Sequence, residues 1–208
     1  MTMERVQERV ARWLPVAVDA EVERECCPAW LIRPGRAECG RIWDAVSEIY
    51  GELTGLVLPE HAPPRERRRL DFVLTYPDGE RQILEVDERQ HFTAARAMTL
   101  ERYPPDAVVG FPIAEWLARS RQRTGREPGG GFAAPRPPLF PGAGGRHRQR
   151  AFRDTLADLL PSEHGWLPTI RMSDTEVVTI TDVGTMGSLK ALLSEREVST
   201  SRLIASGL

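Results

Sequence analysis

The chain has 208 residues, room for one sizeable core with small additions, and its 41% apolar and 28% charged residues are those of an ordinary globular protein. No apolar run approaches the roughly 20 residues of a membrane span, and the charged start MTMERVQERV lacks a signal peptide's apolar segment; a cytoplasmic protein with no membrane partner is expected. The net charge of −2 hides an asymmetry, since residues 61–153 carry 17 arginines against 11 acids while the remainder is net acidic.

A basic middle in a near-neutral chain is the footprint expected for a polyanionic partner, with a solvated surface as the alternative from charge alone. Lys190 is the only lysine, so the distribution of arginine is informative and its abundance is not. Cys26, Cys27 and Cys39 lack the C-x2-C spacing of a zinc site and are expected to be reduced thiols that pack.

In chain order, Val6, Val10, Trp13 and Leu14 recur at helical spacing and predict a short amphipathic helix over 3–14 that stops before Pro15. Residues 16–35 carry turn signals and no regular pattern. From about Ala37 to Thr54 the positions Ile42, Trp43, Val46, Ile49, Tyr50 and Leu53 keep a helical period closed by Gly55. Two strand-like runs follow, RLDFVLTY and ERQILEVD, separated by Pro77-Asp78-Gly79. Residues 93–145 interrupt the regularity, with a short helix expected over 113–121 and a Pro/Gly-rich stretch after it. A helix in RHRQRAFRDTLADLLP and strands in GWLPTIRM and EVVTI come next, and a helix in SLKALLSERE closes the pattern. This division gives an N-terminal extension (1–36), a core (37–172) with an irregular insertion (93–145), and a C-terminal strand and helix (173–208).

The chemistry concentrates in the hairpin. Strand residues two apart share a face, so Glu85 and Asp87 project together. Tyr76-Pro77-Asp78-Gly79 suits a type I turn with Gly79 in a left-handed bulge position, a three-residue loop that pairs Tyr76 with Glu80. Counting outward places Asp71 opposite Glu85; a two-residue loop would put Phe72 there and send Asp71 to the other face. Three carboxylates on a largely apolar hairpin repel one another, and a divalent cation relieves that conflict. Oxygen ligands with an incomplete protein shell suit Mg²⁺ or Mn²⁺.

The segment RLDFVLTYPDGERQILEVDERQHF resembles the core of the PD-(D/E)XK nuclease superfamily. It is most similar to the very-short-patch-repair-like endonucleases, whose pattern runs Asp, then Glu-x-Asp-Gly-x-x-His. Asp71, Glu85, Asp87 and His91 match that pattern, and Glu88 stands where the family has Gly. The resemblance implies a restriction-endonuclease-like mixed α/β sheet flanked by helices. It also implies Mg²⁺ or Mn²⁺ held by Asp71, Glu85 and Asp87, with Asp87 in place of the usual lysine and His91 assisting proton transfer or orienting water. RQRAFRDTLADLL and GWLPTIRM fit the family's following helix and strand, with Arg171 in the strand, and Glu48 or Glu52 would be the leading helix's acid. Arg67, Arg68, Arg69, Arg89, Arg148, Arg150 and Arg153 are then the expected phosphate contacts. The function expected is hydrolysis of DNA phosphodiesters in repair, restriction or defence, the alternative being a non-catalytic nucleic-acid-binding module that keeps the fold. The sequence does not separate DNA from RNA, or a monomer from a homodimer or larger assembly.

Overall fold

The computed structural model describes residues 6–63, 68–180 and 189–196. In chain order the elements are α1 (Val6–Ala17), β1 (Glu21–Arg24), α2 (Ala29–Ile32), α3 (Arg36–Cys39), α4 (Trp43–Thr54), β2 (Phe72–Thr75), β3 (Arg81–Asp87), α5 (Ala94–Glu101), α6 (Ile113–Arg123), α7 (Gly145–Leu159), β4 (Leu167–Ser173) and α8 (Asp174–Ile180). Residues 189–196 are also helical. The four strands form one mixed sheet in the order β1-β2-β3-β4, in which β4 alone runs parallel to its neighbour.

The hairpin is built by its turn. Gly79 takes the left-handed conformation at φ 86°, and Tyr76 N donates to Glu80 O at 2.9 Å. The register that follows pairs Thr75 with Arg81, Val73 with Ile83 and Phe72 with Leu84, so the next position outward sets Asp71 against Glu85, as the turn chemistry predicts.

Alternation then sorts the two faces of the sheet. Phe72, Leu74, Leu84, Val86, Ile170 and Met172 pack with Val10 and Leu14 of α1, Val177 of α8, Leu189 and Leu193. On the opposite face Val73 and Ile83 pack under α4 and α7 through Val46, Ile49, Tyr50, Phe152 and Leu156. Each such side chain, fully buried, contributes about 1.5–3 kcal/mol of transfer free energy. Further along β3 this second face changes from apolar to acidic, at Glu85 and Asp87, and β4 sets Arg171 beside Glu85.

Several expectations are corrected. The helix of 37–54 is broken at Gly40, whose φ of 53° is not helical, into α3, a 3-10 turn over 40–42, and α4. α1 continues through Pro15 to Ala17. Residues 21–24 form an edge strand without an apolar alternation to announce it. The insertion contains α5 as well as α6, joined by Phe92, Leu100, Val109, Phe111 and Trp116, and its Gly110 makes a single bridge to Ile170 of β4. EVVTI lies in helix α8 and not in a strand. Ser173 and Glu176 cap the start of α8 reciprocally, the Ser173 N–H donating to Glu176 Oε2 at 2.7 Å and the Glu176 N–H to Ser173 Oγ at 3.3 Å, a local signal that outweighs β-branched residues. The three cysteines are free and pack against the core, and burial raises the Cys39 thiol to about 12 and Cys27 to about 11.

Candidate functional site

Asp71, at the end of the hairpin, is held through both carboxylate oxygens. Oδ2 accepts from the Val86 backbone N–H at 2.8 Å, and Oδ1 accepts from Gln7 Nε2 of α1 at 2.7 Å. Burial nevertheless raises its pKa against those two donors. Glu85 is 7% exposed, and among the described residues its carboxylate has no hydrogen-bond or ion-pair partner. Burial, then the charge of Asp71, push it well above the usual carboxylate value, while Arg171 and Arg68 pull the other way.

These two acids lie at a cleft of about 460 Å³ whose walls carry Arg68, Arg69, Arg136, Arg146, Arg150 and Arg153. Asp154 of α7 and His91 also line it. Arg68 Nη2 donates to the backbone carbonyl of Arg153, and Arg150 Nη1 donates to the Gln90 carbonyl at 3.0 Å, which ties the walls to the turn after β3. Burial lowers the pKa of both guanidinium groups, opposed by Glu85 at Arg68 and by Asp154 at Arg150.

Asp87 is placed differently from its sequence neighbour two residues back. It is 1% exposed and does not line the cleft. Its Oδ1 accepts from Arg171 Nη1 at 2.7 Å and its Oδ2 from Trp116 Nε1 at 2.5 Å. Arg171 is itself buried and donates through Nε to Asp158 at 2.7 Å, and Asp158 also accepts from Arg96 and Tyr103. The expected third metal carboxylate is thus a member of a closed internal ion network. Among the described residues no group of three or more His, Cys, Asp or Glu side chains is arranged to hold a metal ion.

His91, on the 3-10 turn Arg89–His91, brings Nδ1 to 3.2 Å from Asp87 Oδ1 and 3.3 Å from Asp154 Oδ2. Burial disfavours the charged imidazole, but Asp154 and Asp87 outweigh it and hold His91 above the ordinary histidine value. Asp154 is held below the usual carboxylate range by Arg171 and His91 despite its burial.

The expected phosphate contacts divide. Arg68, Arg69, Arg150 and Arg153 line the carboxylate cleft, and Arg136 and Arg146, which the sequence did not single out, join them. Arg89 lines a different cavity, Arg148 donates to the Ala143 carbonyl at 2.6 Å away from the cleft, and Arg67 lies outside the described residues. Glu52 pairs with Arg102 and Glu48 lines a separate surface depression, so neither acid of α4 reaches Asp71 and Glu85. Asp154 was missed as a site residue; its signal was its position one turn from Arg150 on a helix already expected to flank the site.

Asp71 and Glu85 suit a hard divalent ion in one respect: they are two oxygen donors at opposed positions, and Glu85, with no partner among the described residues, is raised by burial and then by the charge of Asp71. Mg²⁺ commonly takes one or two carboxylates and completes its shell with water and phosphate. No helix among the described residues is long and apolar enough to cross a membrane. Comparison of the chain with protein-family models, curated proteins and solved structures finds no match.

Proposed function

We propose that this chain is a divalent-metal-dependent phosphodiesterase acting on DNA, built on a restriction-endonuclease-like core. The observation that carries the reading is Glu85, opposite Asp71 and without a hydrogen-bond or ion-pair partner among the described residues, at a cleft that six described arginines line. A mixed sheet with an antiparallel β2–β3 hairpin, a parallel β4 and α7 packed over the acidic face is compatible with that core.

In this reading Asp71 and Glu85 hold Mg²⁺ or Mn²⁺. The ion supplies Lewis-acid polarisation of the phosphodiester and a water acidic enough to react near neutral pH. The arginines of the wall position the phosphate and offset its charge. His91, clamped through Nδ1 by Asp87 and Asp154, presents Nε2 as the ring atom left for the substrate, where a cationic imidazole donates a proton to the leaving oxygen. Asp87 orients His91 and neutralises Arg171, a positioning role that replaces metal binding.

A second reading is a non-catalytic nucleic-acid-binding module. It is favoured by the engagement of Asp87 with Arg171 and Trp116, which leaves two carboxylates for an ion where the family pattern implies three. Cleavage assays on duplex DNA, single-stranded DNA and RNA with Mg²⁺ or Mn²⁺ decide between them. Metal-dependent cleavage lost in Asp71→Ala supports the enzyme, and tight binding without turnover supports the module.

A further inference from the structure

The turn Arg89–His91 divides two basic cavities. His91 lines the carboxylate cleft, whereas Arg89, two residues earlier and about 4 Å away along a 3-10 axis, lines a cavity of about 490 Å³ with Arg119 and Arg123 of α6. Among the described residues that line this cavity, Asp174 is the one acid against three arginines.

The arginines of this second cavity are partly preset. Arg119 donates through Nη1 to Thr175 Oγ1 at 2.7 Å, and its guanidinium lies over the rings of Phe92 and Trp116 at 5.7 and 5.8 Å. An arginine held this way loses little freedom on meeting an anion. Arg123 Nε is buried with no hydrogen-bond partner among the described residues, and Arg89 is exposed. Trp116 connects the two cavities, since it lies under Arg119 and donates to Asp87 beside His91.

We propose that Arg89, Arg119 and Arg123 form a second phosphate-binding subsite, which takes a flanking phosphate of the same DNA whose reacting phosphate occupies the carboxylate cleft. This extension rests on the function proposed above. It accounts for the placement of Arg89 outside the first cleft and for an arginine-rich α6 in the insertion. A DNA backbone crossing the 89–91 turn meets cationic groups on both sides of it.

The test is duplex binding by fluorescence anisotropy across a salt series, with the full chain and Ca²⁺ in place of Mg²⁺ to hold chemistry off. Arg89→Gln/Arg123→Gln removes two charges and spares Arg119, whose packing the fold uses. The expected result is a slope of log K against log salt shallower by about 0.9, the value for one lost phosphate contact. Arg89→Lys/Arg123→Lys should recover most of the slope, which a purely structural role for these arginines would not produce. Wild-type binding with an unchanged slope in the Gln variant overturns the subsite alone. A wild type that binds no nucleic acid overturns the subsite and the proposed function together.

Discussion

Arg171 Nη1 donates to Asp87 Oδ1 at 2.7 Å with both side chains out of water, so the second acid of β3 is neutralised inside the protein. Removing one member of a buried pair leaves the other charge uncompensated, at a cost of about 3–5 kcal/mol. Asp87→Ala should therefore lower the free energy of unfolding by about that amount, whereas Asp71→Ala, at the cleft, should lower it far less. Urea denaturation of the two variants checks this. Equal stabilities would place Asp87 outside the network described here.

His91 gives a pH dependence. Its folded-state pKa is raised, so the folded protein holds a proton that the unfolded chain releases first as pH increases. The stabilisation is fully present below the unfolded value of about 6.5 and is lost as pH rises through the folded value. Thermal melts of the wild type should fall across that window. His91→Gln should remove this part of the slope, and the same slope in the variant would mean another group titrates.

Arg150 and Arg153 line the carboxylate cleft, and Arg148, two residues before Arg150 on the same helix, does not. If the cleft takes phosphate, Arg150→Ala/Arg153→Ala should flatten the salt dependence of DNA binding by about 0.9, the value for one phosphate contact, and Arg148→Ala should leave it nearly unchanged. Anisotropy titrations at several ionic strengths measure both. Equal effects would mean that α7 contributes diffuse charge and no defined contact.

The pairing of Asp71 with Glu85 was legible because Pro77-Asp78-Gly79 specifies loop length and loop length specifies register. The same alternation placed Glu85 and Asp87 on one face but could not say what covers it. The cover is long-range: Arg171 arrives from β4 and Trp116 from α6, 84 and 29 residues from Asp87 in sequence, and together they take Asp87 away from the cleft. α8 forms where Val177, Val178 and Ile180 suggest a strand, because Ser173-Asp174-Thr175-Glu176 carries a helix-capping signal that competes with β propensity. β1 was not legible because an edge strand whose side chains are mostly exposed shows no apolar alternation.

If Asp71 and Glu85 form the working centre of a phosphodiesterase, the most direct measurement is cleavage of DNA under Mg²⁺ or Mn²⁺ by the wild type, Asp71→Ala and Glu85→Gln, with binding measured in parallel. Metal-dependent cleavage is the expected result for the wild type. Each variant should lose at least about 10²-fold in rate while binding DNA nearly as well, because arginine contacts supply the affinity and the carboxylates serve the transition state. Cleavage that survives both substitutions unchanged would contradict that role.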